Sequence, residues 1–205
     1  MFQLIIQLLK DADEHLFIVI NSFHCDIGDY LMWWISDRWI WIPLYLILAV
    51  GIFRHHSVVN AILCVVAIGI AVAIADQLCA GVIRPAVERL RPSCPDNPLS
   101  IIEHTVNGYH GGRFGFPSCH AANSFALATF LSLLYKTRKA RCLIVAWALM
   151  LCWSRIYLGV HYPGDIVAGI AVGAMCGGFM FALWQSAIRH LNIRWIAKIR
   201  SNRIL

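Results

Sequence analysis

Apolar positions in this chain fall in long runs, without the strict alternation of half-buried strands or the heptads of a coiled coil. Five runs stand out: Trp39–Phe53, Val58–Val82, Ser118–Tyr135, Cys142–Trp153 and Ile166–Ile188. A helix needs about 20 residues to cross the hydrocarbon of a bilayer, so the shorter runs must borrow flanking residues. The last run carries Gly169, Gly173, Ala174, Gly177 and Gly178, small residues that suit close helix contact. The opening stretch sets Phe2, Ile5, Ile6 and Leu9 against Asp13, which predicts an interfacial helix. Residues 17–37 include His24, Asp26 and Asp29, so they predict either more interfacial structure or a poor sixth span. The pattern as a whole predicts an all-α fold: a polytopic transmembrane helical bundle of five to six spans, with an N-terminal interfacial helix. One membrane-embedded domain over 1–205 is expected, with 1–37 as its interfacial segment and 189–205 as a basic cytoplasmic tail. The start lacks a basic leader, so no cleavable signal peptide is expected.

Composition agrees. Of 205 residues, 60% are hydrophobic and only 14% charged, too few polar residues to cover a soluble domain of this length. The net charge of +6 is clustered. Lys136, Arg138, Lys139 and Arg141 are expected in one short loop, and Arg189, Arg194, Lys198, Arg200 and Arg203 crowd the C-terminus. Flanking apolar spans, these clusters read as cytoplasmic topology signals and not as a nucleic-acid patch. By alternation, residues 83–117 and 154–165 then share the opposite face. Five arginines lie there against the topology rule, with His104, His110, His120, His161 and Asp165. Function is the natural reason for such an exception. The 83–117 stretch is rich in Pro and Gly and predicts a lid or wall rather than a helix. The eight cysteines show no metal-ligand spacing, so no metal is expected; a Cys25–Cys94 disulfide is conceivable but not favoured.

Three stretches carry candidate chemistry. In "VIRPAVERLRP" (82–92), Arg84 and Arg91 stand seven apart, close to two helical turns, and are expected on one helix face ended by Pro92. In "FPSCHAANSF" (116–125), Ser118 suits an N-cap. Its hydroxyl and the N–H groups of Cys119 and His120 then point at one anion, because a helix N-terminus offers free donors and a positive dipole end. In "WSRIYLGVHYPGD" (153–165), Pro163 suits the first turn of the last helix and places Asp165 near its mouth. A carboxylate there can fix the tautomer of His161 and leave the other ring nitrogen bare. Taken singly, each residue has a bland reading: a headgroup anchor, a plain cap, a buried histidine. Two histidines, a carboxylate, three arginines and a helix mouth on one membrane face make coincidence the poorer explanation. Asp76, in the second span, is expected either to pair with one of these arginines or to pack helices.

Arg84-x6-Arg91-Pro92, Pro117-Ser118-Cys119-His120 and Ser154-Arg155-x5-His161-x3-Asp165 resemble, in order and spacing, the three signature motifs of the type 2 phosphatidic acid phosphatases, a superfamily that includes vanadium haloperoxidases. Arg84 stands where lysine is common, and Cys119 where glycine is usual. The resemblance implies catalytic roles for His161, His120 and Asp165: nucleophile, acid and base, and orienter. It implies that Arg84, Arg91, Ser118, Arg155 and the Cys119 N–H bind the phosphoryl oxygens. No cofactor or metal is implied, since arginines carry the charge. The implied partners are a lipid phosphate or diphosphate and the bilayer, with no nucleic acid and an oligomeric state left open. The implied location is a bacterial inner membrane, with the site on the periplasmic side. Undecaprenyl diphosphate is the first-placed substrate, with lipid A and phosphatidylglycerophosphate as alternatives. Two other classes were weighed: a non-catalytic lipid-phosphate binder or transporter, which the presence of both histidines disfavours, and a vanadate-dependent oxidase, which the apolar spans disfavour.

Overall fold

The structure, a computed structural model, describes the backbone over residues 1–201 and the side chains of residues 1 and 3–191. Among the described residues, eight α-helices follow one another: α1 (Phe2–Ser22), α2 (Asp26–Ser36), α3 (Ile42–His55), α4 (Val58–Gln77), α5 (Arg84–Val87), α6 (Cys119–Leu134), α7 (Arg138–Tyr157) and α8 (Pro163–Ser201). No strand occurs among the described residues; a lone antiparallel bridge joins Leu90 to Phe114. Among the described residues, three helices are long and apolar enough to cross a membrane: Val58–Val87, Arg138–Tyr157 and Pro163–Leu191. α2 and α3 together form a fourth candidate, bent by 66°, and α6 is a shorter apolar helix. The run expected from Trp39 is therefore broken, with a 3₁₀ turn over Arg38–Trp41 before α3 begins. Most of the basic tail expected over 189–205 lies outside the described side chains; Arg189 donates to Gln185.

Small residues build the centre. On α4, Ala61, Cys64, Ala67, Ala71 and Ala75 are buried at helical spacing. The opposite side of α4, with Val59, Ile62, Val66, Ile70 and Ile74, is exposed, as a lipid-facing surface must be. α6 and α8 approach most closely. A Cβ added at Gly169 would meet the Ser118 carbonyl oxygen; at Gly173 it would meet the Ala122 oxygen, and at Gly177 the Ala126 oxygen. The expected use of small residues in the last helix holds at these three positions, whereas Gly178 faces open space.

This crossing sets the helix ends. The Ser118 N–H donates to the Asp165 carbonyl at 3.0 Å, tying the mouth of α6 to the first turn of α8. At the far end, the Trp184 indole donates to the Asn60 carbonyl at 3.4 Å, so α4 begins where α8 is well advanced. Arg84 at the end of α4–α5 and Arg155 at the end of α7 consequently reach the level of the α6 and α8 N-termini. Gly173→Val would force the α6 and α8 backbones apart. A loss of about 1–3 kcal/mol is expected, read as a lower melting temperature in detergent relative to Gly178→Ala.

Candidate active site

The three motifs meet at this end of the bundle. Ser118 is fully buried and caps α6, its Oγ accepting the Ala121 N–H at 3.4 Å. His161 is buried in the turn between α7 and α8. Its Nδ1 faces Asp165 Oδ2 at 3.2 Å, and its Nε2 faces Arg91 Nη1 at 2.8 Å. A carboxylate cannot donate, so Nδ1 carries the proton, and the Nε2 lone pair is directed at Arg91. Asp165 Oδ2 also accepts the Tyr162 N–H at 3.1 Å.

Arg84 Nη2 donates to the Pro117 carbonyl at 3.1 Å and to Cys119 Sγ at 2.9 Å. Arg91 donates to the Phe114 and Val160 carbonyls at 3.1 and 3.0 Å. Arg155 donates to Ser36 Oγ, and to Tyr109 Oη at 3.3 Å. None of these three guanidinium groups is paired with a carboxylate among the described residues. Nε of Arg84 and Nε of Arg155 are buried without an acceptor. Burial first, and then the charges of Arg84 and Arg155, push the Arg91 guanidinium down to about 10. Burial and the charges of Arg91, Arg155 and Arg84 hold His161 well below the ordinary imidazole range, so it stays neutral. Like charges at such density, with donors left unsatisfied, have the chemistry that suits an oxyanion.

His120 stands at the junction of two cavities. One, of about 320 Å³, is the polar mouth and includes Ser36, Arg38, Tyr109 and Arg155. The other, of about 580 Å³, runs into the bundle between α3, α4, α6 and α7 along Leu48, Ile52, Ile68, Val72, Leu127 and Leu151. A charged head at the mouth and an apolar chain in the interior fit this shape.

The structure corrects several expectations. Arg84 and Arg91 do not share a helix face. The helix ends at Val87, Glu88 turns left-handed at φ 50°, and the chain then pairs Leu90 with Phe114. Side chains two apart share one side of an extended segment, which is why Arg89 and Arg91 both reach the His161–Asp165 pair. Asp76 takes the packing option: Asn123 Nδ2 donates to its Oδ1 at 2.9 Å. The Cys25–Cys94 disulfide, not favoured from the sequence, is not formed: both are free thiols. The basic loop is shorter than expected, since Arg138, Lys139 and Arg141 already belong to α7. His104 and His110 stand apart from the His161–Asp165 pair, bonding to Asp29 and to the Ser93 carbonyl. Arg113 pairs with Asp96 on the surface.

Other contributors were invisible as motifs. Arg89 pairs with Asp165 at 3.0 Å and with Asp13 at 2.7 Å. Ser36 and Tyr109 hold Arg155. Asn21 ties α1 to the carbonyls of His104 and Tyr157 at 3.0 and 2.9 Å. Only the Arg-Leu-Arg spacing at 89–91 hinted at one of them.

The PAP2 superfamily model matches residues 60–189, and the chain belongs to that family. It is a membrane lipid phosphatase, a phosphate ester hydrolase in a multi-pass helical scaffold. The lipid A 4'-phosphatase of Bacteroides thetaiotaomicron is 44% identical over 176 residues, covering 86% of this chain and 78% of that one. The lipid A 4'-phosphatase of Porphyromonas gingivalis is 30% identical, covering 93% and 78%. The undecaprenyl-diphosphatase BcrC of Bacillus subtilis is 33% identical but covers only 45% of this chain and 47% of its own. In fold, the chain is similar to the transmembrane PAP2-type phosphatidylglycerolphosphate phosphatase of Bacillus subtilis (TM-score 0.65, 21% identity, 87% of each chain). It is also similar to Aquifex aeolicus LpxE (TM-score 0.59, 22% identity, 82% of this chain and 93% of that one).

Orthovanadate, a tetrahedral oxyanion, is expected to raise the melting temperature of the detergent-solubilised protein. Losing a charged hydrogen bond costs about 1.5–3 kcal/mol, so Arg155→Gln should bind vanadate roughly tenfold to a hundredfold more weakly. Unchanged vanadate stabilisation in that variant would refute the oxyanion site. A second expectation concerns pH. The folded-state pKa of His161 is depressed, so the unfolded chain takes up a proton near about pH 6.5 that the folded chain refuses. The contribution of His161 to stability is thus complete above that pH and shrinks as pH falls below it. His161→Asn should flatten this part of the melting-temperature curve between pH 8 and pH 5.

Proposed function

We propose that the protein removes a phosphate from a lipid by way of a phosphohistidine at His161. One observation carries the reading: a neutral, buried imidazole, oriented by Asp165, aims its bare nitrogen at Arg91, while Arg155 lines a polar mouth that meets an apolar cavity at His120. His161 Nε2 attacks phosphorus as Arg91 shifts its donor from that nitrogen to a phosphoryl oxygen. The bond from phosphorus to the leaving oxygen breaks, and His120 gives that oxygen its proton. Asp165 stabilises the positive imidazole that results. His120, now neutral, takes a proton from water. The hydroxide attacks phosphorus, the N–P bond breaks, and inorganic phosphate leaves with His161 restored. Arg84, Arg91, Arg155 and the N–H groups at the mouth of α6, Cys119 among them, stabilise the charge that moves onto the equatorial oxygens.

For the substrate, the comparisons favour the alternative over the first-placed reading. Similarity to lipid A 4'-phosphatases spans most of the chain at up to 44% identity, whereas that to an undecaprenyl-diphosphatase covers under half of it. We therefore place a lipid A-type phosphate first and undecaprenyl diphosphate second. The basic residues at the start of α7 and beyond residue 189 support an orientation with the site on the periplasmic side of an inner membrane.

Phosphate release by the purified protein from lipid A, undecaprenyl diphosphate and phosphatidylglycerophosphate decides among these. The expected order of kcat/KM places lipid A highest. His161→Asn should lose at least about a thousandfold in kcat while remaining inserted and folded. A variant that turns over at the wild-type rate would remove the nucleophile assignment.

A further inference from the structure

The family match begins at residue 60, yet residue 13 is tied to the Asp165 carboxylate through a single side chain, Arg89. Asp165 is fully buried and uses both oxygens. Oδ2 faces His161 and the Tyr162 N–H, and Oδ1 takes Arg89 Nη1 at 3.0 Å. The other arm of the same guanidinium, Nη2, forms an ion pair with Asp13 Oδ2 at 2.7 Å, close in distance although its N–H is not aligned as a hydrogen bond. Asp13 Oδ1 then accepts the Gly164 N–H at 2.7 Å, one residue before Asp165 in the first turn of α8. The ring closes on itself: Asp13 holds Arg89, Arg89 holds the Asp165 side chain, and Asp13 also holds the backbone beside it. The Arg89 guanidinium lies over the Tyr162 ring at 3.9 Å, and Tyr162 is packed edge-on against Phe17 of α1 at 5.4 Å.

We propose that Asp13 and Arg89 are positioning residues for the reaction, locking the Asp165 carboxylate in the orientation that presents Oδ2 to His161. The proposal rests on the reading of His161 as nucleophile. The first helix, outside the matched family region, is then part of the catalytic apparatus and not only an interfacial anchor. The chemistry requires this kind of support. A buried carboxylate with only one oxygen engaged can rotate about its last bond, and His161 would lose its fixed tautomer. A planar guanidinium bridges two carboxylates through separate N–H edges, which an ammonium on a flexible stem does not do. Asp13 fixes the far edge, so Arg89 cannot swing out to solvent. Neither residue contacts the phosphoryl site; both act through Asp165.

The test uses the full-length protein in detergent with lipid A as substrate and orthovanadate as the phosphate mimic. Asp13→Ala removes the anchor. Gly164→Ala removes no functional group, but its Cβ would sit 2.6 Å from Asp13 Oδ2 and displace it. Both are expected to lower kcat by about tenfold to a hundredfold, with KM and vanadate affinity within about twofold of wild type. Asp13→Asn keeps an acceptor for the Gly164 N–H without the ion pair, and its kcat should fall between Asp13→Ala and wild type. Arg89→Lys should behave like Asp13→Ala. Wild-type kcat in both Asp13→Ala and Gly164→Ala, with His161→Asn inactive, overturns this proposal and leaves the nucleophile reading standing. Turnover by His161→Asn overturns both. A kcat loss matched by an equal loss of vanadate affinity also overturns it, because α1 would then merely hold the fold together.

Discussion

Everything at the site depends on how closely α6 can lie against α8. Gly169, Gly173 and Gly177 let the two backbones touch, and the Ser118 N–H reaches the Asp165 carbonyl. In a bilayer there is little hydrophobic gain in bringing helices together, so close packing and hydrogen bonds must supply the association. Here that contact has a second consequence. It places two helix N-termini side by side at the same end of the bundle. One presents Ser118, Cys119 and His120; the other fixes Asp165 next to His161. A side chain at Gly169 or Gly173 would separate these groups even though neither glycine touches the site.

The second constraint is charge. Arg84, Arg91 and Arg155 are held mostly by carbonyls and hydroxyls, which orient a guanidinium without neutralising it. Arg89 differs, since Asp13 and Asp165 flank it. The pocket is thus divided. One arginine is committed to the carboxylates behind His161, and the other three have no carboxylate partner among the described residues. Continuity from this mouth into an apolar cavity explains how one small bundle can serve a substrate with a charged head and hydrocarbon chains.

The N-terminal segment proves more engaged than an interfacial anchor. Its outward residues, such as Leu4, Ile5, Leu8 and Leu9, are exposed, as a membrane-surface helix requires. Phe17 and Asn21, by contrast, are buried against the loop and α7–α8, and Ser36 supports Arg155. The family core is therefore completed from outside its own boundaries.

The chain by itself determined the all-helical, apolar character of the bundle, the basic flanks and the three motif stretches, because apolar run length, clustered charge and residue spacing are local properties. Ser118 as a cap and Pro163 at the start of α8 were legible for the same reason. What lay beyond the sequence was pairing across distance. Asp13 looked like the polar edge of an amphipathic helix; its partners are 76 and 151 residues away from it along the chain. Arg84 and Arg91 looked like one helix face, but a left-handed Glu88 and the bridge to Phe114 replaced a period of 3.6 by a period of two. That choice depends on backbone hydrogen bonds to residues 113–115, Arg91 N–H to the Arg113 carbonyl and Gly115 N–H to the Arg89 carbonyl. Asp76 was open between two roles until α6 brought Asn123 beside it. Local pattern fixes which segments become helices and which residue types gather at their ends; only packing decides which donor meets which acceptor.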